Sequence, residues 1–419
     1  MKSKENIERL KRLQWLEIQS TRILGAWLPG ISKWETKGKI ALHLWEDAQR
    51  SQQLRSRLWE LRVSSPDRSL CGNPSEILSA LSKAREDFEF LAGHYLVFKK
   101  NLLQEYKHIM ASTHHVWDAP TLPVLRLAIS GLESQIDWAH SGIEELADSG
   151  EKQRRIHRWM QFINEVMAAE SATLGFGGDA PKPLQLPEPV PGYSESPLPF
   201  CEAKRDARFK LTLTGPVPPE ENDILGKTIY QFVNYAHEMQ AAETLGSVLW
   251  EANGMEWEFY FDVARHCYDE ARHSELGESR LSELGHHITD FPHTAANYAW
   301  RQLIDPMRRY CVLTYVIEAD SFEYKHKSYN RYIELQDTTS AESILFDIID
   351  ETLHLRWGKK WTPKLMEKSG YTEPLENLVT ECRDILIQHA VNPVQRASAQ
   401  KASSGTATAA QGDLASKVV

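Results

Sequence analysis

Apolar side chains recur every third or fourth position along most of the chain. That is the period of a helix with one face turned to a core. Four long segments of the second half carry it: 224–252, 255–284, 306–336 and 340–362. Breaks fall at Asn253–Gly254 and at Gly285, with Pro292 following. In the first half the same period predicts helices near 3–28, 34–61, 75–112, 119–146 and 151–171. Gly30, Pro66, Pro74 and the stretch 118–121 punctuate them. Between the halves the period is lost, and residues 181–219 hold ten of the chain's 20 prolines. Proline lacks an amide donor and restricts its predecessor, so this stretch is neither helix nor central strand. A disordered linker and an extended strap both remain open. The stretch 393–419 is small and polar and is expected to be disordered.

The two helical halves resemble each other. Starting at His43 and at His266, nineteen residues align without a gap at an offset of 223, with eight identities. Trp34 falls on Trp257 at that offset, and YKH at Tyr106 matches YKH at Tyr324 at an offset of 218. Order and near-constant spacing point to a duplicated four-helix unit. The expected division is a first helical domain over 1–170, a proline-rich connector over 171–220, a second domain over 221–392 and a tail over 393–419.

Composition narrows the function classes. The chain has 419 residues, 42% hydrophobic and 25% charged, enough for two cores of ordinary size. The net charge of −10 makes it a poor default binder of nucleic acid or anionic membrane. Mean hydropathy is −0.46, and no apolar run reaches the roughly 18 residues that span a bilayer. The opening residues lack the apolar core of a secretory signal. Cys71, Cys201, Cys267, Cys311 and Cys382 are scattered and odd in number. They form no disulfide framework or Cys-x-x-Cys site, which fits a reducing cytoplasm.

Chemistry concentrates in the second half. DEARH at Asp269–His273 and DETLH at Asp350–His354 each place Glu-x-x-His inside a helical stretch. Residues three apart share a helix face, so Glu270 pairs with His273 and Glu351 with His354. Glu238 lies 32 residues before Glu270, with the Asn253–Gly254 turn near the midpoint. Glu318 lies 33 residues before Glu351, with a turn near 337–340. Folding these hairpins brings the acids to similar heights. One Glu from each of two helices and Glu-x-x-His from each of two others is the ligand logic of a di-iron carboxylate bundle. Glu243 competes with Glu238, and Asp320 and Glu323 compete with Glu318. His266 and Asp347 lie one turn before Glu270 and Glu351, as added ligands or cavity polar groups.

On these motifs the chain resembles the ferritin-like superfamily of di-iron proteins over roughly 221–365. HEMQAAE at 237–243 followed by DEARH looks closest to a poorly characterised bacterial group of stand-alone ferritin-like proteins. The resemblance implies a ferritin-like four-helix bundle in which Glu238, Glu270 and His273 form one side of the site. Glu318, Glu351 and His354 form the other. It favours Glu238 over Glu243, and it implies that Asp350 holds His273 and Asp269 holds His354. The first half departs from the pattern. The offsets set Trp15, Asp47, Arg50, Lys100, Glu133 and Ile136 against Glu238, Glu270, His273, Glu318, Glu351 and His354. An indole, a guanidinium and an ammonium cannot replace such ligands, so the first bundle is expected to be metal-free.

Two ferrous ions held by carboxylates and imidazoles suit reduction of dioxygen. The expected activity is a non-haem di-iron oxidase or oxygenase with dioxygen as co-substrate and a small-molecule substrate. Manganese or a mixed Mn/Fe pair is the alternative metal. No flavin or nicotinamide signature stands out, so electrons come from a donor protein or from the substrate, and a homodimer is compatible. The competing readings are a ferroxidase, peroxidase or iron-binding protein, and a structural or partner-binding ferritin-like protein.

Overall fold

The computed structural model describes residues 2–66, 76–174, 180, 182–212 and 216–402, without the side chains of 2, 3 and 390–402. It is all-α, with two ferritin-like four-helix bundles. Contacts divide the chain into one unit of 1–200 with 256–264 and a second of 201–255 with 265–419.

In the first unit, α1 (Lys2–Trp27) and α2 (Trp34–Glu60) pack along their lengths. The expected helix over 75–112 is four pieces: α3 (Glu76–Leu81), α4 (Asp87–Leu91), a π-helical stretch Ala92–Lys99, and α5 (Lys100–Ser112). The break comes before Glu86, whose side chain and that of Glu89 cap each other's backbone to start α4. Then α6 (Thr121–Leu146) completes the four helices, and α7 (Gly150–Ala172), capped by Ser149, packs on the π-helical stretch. The proline-rich residues 182–200 are fastened to this unit. Tyr193 stacks on Trp159 with centroids 5.0 Å apart, and Phe200 meets Trp27 edge-on at 5.1 Å.

In the second unit the expected helix over 224–252 is interrupted. Asp223 caps α8 (Ile224–Ala236), accepting from Gly226 N at 2.8 Å, and α9 (Met239–Glu251) restarts after His237 and Glu238. Next come α10 (Trp257–Glu283), which belongs to this unit from Arg265 onward, and two short helices, α11 (Ala296–Arg301) and α12 (Pro306–Cys311). A π-helical turn Val312–Ile317 leads from α12 into α13 (Glu318–Glu334). Then α14 (Thr338–Ser369) runs past Pro363, where the sequence predicted a stop at 362. Proline costs one amide bond and tends to kink a helix without forbidding its continuation. The helix ends instead at Gly370, whose φ of 72° supplies the left-handed cap. The last helix, α15 (Leu375–Ala402), enters the stretch expected as tail; 403–419 and Cys71 lie outside the described residues. Two-residue strands β1 (Lys210–Leu211) and β2 (Pro292–His293) pair in parallel.

Two close approaches draw the second bundle together around its polar centre. A methyl group on Gly277 of α10 would lie 2.4 Å from Ala236 N of α8, so only glycine lets these backbones meet. One on Gly358 of α14 would lie 2.5 Å from Thr314 Cβ in the π-helical turn. No helix among the described residues is long and apolar enough to cross a membrane.

Candidate metal centre

Glu238 sits at the α8–α9 break, Glu270 and His273 on α10, Glu318 at the start of α13, and Glu351 and His354 on α14. The structure brings all six together, with His266 and Asp347. His266, Glu270, Glu318 and His354 each offer a ligand atom within 4.8 Å of the others. Glu238, His273 and Asp347 form a second such group, and Glu270, His273 and Glu351 a third that links the two. His266 Nε2 lies 2.8 Å from Glu318 Oε1 and 3.3 Å from Glu270 Oε1. His273 Nδ1 lies 3.2 Å from Glu238 Oε2 and 3.5 Å from Asp347 Oδ1. The Glu238 side chain is 27% exposed, although its Oε2 is buried. The other seven are buried.

The inner atoms are crowded but not satisfied. Besides His266 Nδ1, one buried atom from each of six further cluster side chains makes no hydrogen bond: Glu238 Oε2, Glu270 Oε1, His273 Nδ1, Glu318 Oε2, Glu351 Oε2 and His354 Nδ1. Buried polar atoms ordinarily find a partner. Atoms that converge within a few ångströms without bonding to each other suit coordination of a common cation.

Charge points the same way. Glu238, Glu270, Glu318, Asp347 and Glu351 bring five carboxylates, and Lys325 brings one ammonium, 2.8 Å from Asp347 and 2.6 Å from Glu351. Four negative charges remain, the charge that two divalent ions neutralise. The protonation of the cluster reflects this excess. Burial pushes the Glu238 carboxyl up to about 7 and the Glu351 carboxyl to about 8. Burial works against a charged His354, yet the surrounding carboxylates of Asp269, Glu270 and Glu318 lift it to about 10. A site that gathers protons so strongly also attracts metal cations.

An outer layer orients the imidazoles. Asp350 Oδ2 lies 3.2 Å from His273 Nε2, and Asp269 Oδ2 lies 3.4 Å from His354 Nε2. Arg272 bonds to both aspartates, and Arg265 Nε donates to Asp269 at 2.8 Å. Carboxylates on the far nitrogen fix ring orientation and leave Nδ1 facing inward. Asp347 also accepts from the Tyr235 hydroxyl. Glu243 stays out of the cluster, held by Arg205 at 2.6 and 2.9 Å. Asp320 pairs with Arg383 and Glu323 with Lys327, both at the surface. Sequence reasoning missed Lys325 and Tyr235. A signal for Lys325 existed: it follows Glu318 by seven residues, two turns along one face of α13.

In the first unit, buried ion pairs form a polar cluster of their own. Arg50 Nε and Nη2 donate to Glu17 at 2.9 and 3.1 Å, and Arg50 also bonds to Asp47. Lys99 Nζ donates to Asp47 at 2.9 Å and to Gln135 at 2.6 Å. Two cations answer two carboxylates, so this cluster is neutral without a metal. The expected register needs correction at three places: Glu17 replaces Trp15, Lys99 replaces Lys100, and Gln135 replaces Ile136. Lys100 and Glu133 are exposed, and Glu133 pairs with Lys107. The π-helical stretches explain the slip on the third helix. They cover eight residues here and six in the second unit, so a constant offset cannot hold across them.

Residues 153–404, more than half of the chain, match the model of a family described as "Protein of unknown function (DUF455)". No curated protein and no solved structure matches the chain.

Proposed function

The chain belongs to the DUF455 family, whose description names no reaction, and we propose from the site itself that the second unit is a dinuclear metal oxidase or oxygenase. The six inward atoms without hydrogen bonds carry the reading. One ion would be held by His266, Glu270, Glu318 and His354. The other would be held by Glu238, His273 and Asp347, with Glu351 between them. A pair of ferrous ions, or manganese in one or both positions, supplies two-electron reduction of dioxygen.

The remaining residues serve that site. Asp269 and Asp350 hold the histidines in one tautomer, and Lys325 balances the carboxylate beyond the four that two ions neutralise. The π-helical turn before Glu318 is a distortion often found at functional sites. The burial of seven of the eight side chains limits access by bulk water. On this reading the chain is a ferritin-like di-iron protein, with a small molecule as substrate and electrons from that substrate or a donor protein.

The test is reconstitution under anaerobic conditions with ferrous iron, followed by metal analysis and oxygen-uptake measurement. Two irons per chain and iron-dependent oxygen consumption without mineral formation support the reading. Mineral accumulation would move the protein to ferroxidase and storage, and failure to bind metal would leave a structural role.

A further inference from the structure

A buried arginine near the proposed metal centre lacks a counter-ion. Among the described residues, four arginines are more than nine-tenths buried: Arg9, Arg50, Arg301 and Arg309. Arg9 reaches Glu5 and Glu105, Arg50 reaches Glu17 and Asp47, and Arg309 reaches Glu251. Arg301, at the end of α11 and 6% exposed, reaches no carboxylate. Its hydrogen bonding amounts to Nη1 donating to Thr244 Oγ1 at 3.5 Å, and its Nε is buried with no partner. Gln240, one turn before Thr244 on α9, contributes a second donor. Its Oε1 accepts from Tyr298 N of α11 at 3.2 Å, while its Nε2 is buried and unpaired.

Burying a guanidinium without an anion is costly. Neighbouring Arg309 already ties the segment down through the carbonyls of Arg301 and Ile304 at 3.0 and 2.9 Å, and the Trp300 ring, its centroid 5.4 Å from the Arg301 guanidinium, supplies no anion. A charge retained at such expense is expected where a ligand supplies the missing partner. The carboxylates that act on Arg301 through space are Glu270 and Glu318, both in the metal cluster. Burial lowers the guanidinium to about 10 and those two carboxylates oppose the shift, so it stays charged at neutral pH.

Resting on the oxidase reading above, we propose that Arg301 anchors the carboxylate of an organic acid substrate and so positions that molecule at the metal centre. The planar fork of a guanidinium matches a carboxylate with two parallel hydrogen bonds. A monoanion is favoured over a phosphate dianion, because one guanidinium compensates one charge and the adjacent cluster is already rich in acid. Gln240 Nε2 is the second donor available on the same helix contact.

Acetate is the probe, since it carries the group and little else. Thermal unfolding of the metal-loaded full chain is followed in acetate and in chloride of equal ionic strength, for wild type, Arg301→Met and Arg301→Lys. Acetate should raise the wild-type midpoint, act at least tenfold more weakly on Arg301→Met, and give an intermediate response with Arg301→Lys. Without acetate, Arg301→Met should melt no lower than wild type, because an unpaired buried charge has been removed. The proposal is overturned if acetate leaves the wild type unmoved, if it stabilises wild type and Arg301→Met equally, or if Arg301→Met alone lowers the midpoint by several degrees. Metal content is measured on the same samples. Absence of two metals from the wild type defeats the oxidase reading, whereas two metals with no acetate response defeat only the anchor.

Discussion

Replacing Arg50 with methionine removes the guanidinium that neutralises the first unit's polar cluster while keeping most of the side chain's volume. Asp47 would retain Lys99 at 2.9 Å, the Ser20 hydroxyl and Gln135 Nε2 at 3.2 Å. Glu17 would keep only the Tyr106 hydroxyl at 2.9 Å, with no cation bonded to it, Lys99 acting through space, and no exposure to water. Breaking a buried pair in this way costs about 3–5 kcal/mol. Protonation limits the loss. Burial already pushes the Glu17 carboxyl above its ordinary value against the pull of Arg50, and without Arg50 it rises further. A carboxyl raised in the folded state contributes stability that is complete below its unfolded pKa. That stability is lost as pH climbs through the folded value. The deficit of the variant should therefore be small near pH 4.5 and grow with pH, by at most about 1.4 kcal/mol per unit. Denaturant unfolding of both proteins at several pH values measures it, with metal content determined alongside. A deficit under about 1 kcal/mol at pH 8, or one independent of pH, would refute the reasoning; loss of metal from a folded variant would contradict a metal-free first unit.

Other outcomes follow from the same geometry. Because Glu238 titrates at about 7 and Glu351 at about 8, metal affinity should rise steeply as pH increases through that window. Calorimetry in buffers of different ionisation enthalpy should detect the released protons; pH-independent binding would contradict the ligand roles. Replacing Lys325 with methionine leaves five carboxylates unbalanced, so the metal-free protein should unfold at lower denaturant, with the gap narrowing on metal loading. An unchanged gap would show that Lys325 and the metals do not share a charge balance. Gly277→Ala forces a methyl group against Ala236 N and should cost about 1–3 kcal/mol, whereas Gly142→Ala, with its nearest neighbour at 3.9 Å, should cost far less. Equal effects on thermal unfolding would discount the close approach.

The six residues the sequence singled out do converge, because Glu-x-x-His spacing and helix periodicity are local properties. A hairpin with a central turn brings its acids to one height whatever the details of packing. His266 and Asp347 obey the same logic, each one turn from a motif glutamate. What was illegible depended on departures from regular helix. The break at His237–Glu238 follows no glycine or proline, and the π-helical turns have no residue signature of their own. Those turns also shifted the comparison of the halves by one residue on the third helix, turning Lys99 into Lys100. Lys325 was hidden for a different reason: a lysine usually marks a solvated face, and burial among acids is a tertiary fact. Arg301 lies on a six-residue helix too short for periodicity to reveal.

Two ions between α8–α9, α10, α13 and α14 are the claim on which the functional account rests. Anomalous diffraction at the iron edge from crystals grown and loaded without oxygen tests it most directly. The account predicts two peaks per chain. One should be ligated by His266, Glu270, Glu318 and His354, and the other by Glu238, His273 and Asp347, with no peak beside Arg50 and Lys99. Iron found only at surface sites, with these carboxylates bonded elsewhere, would contradict it.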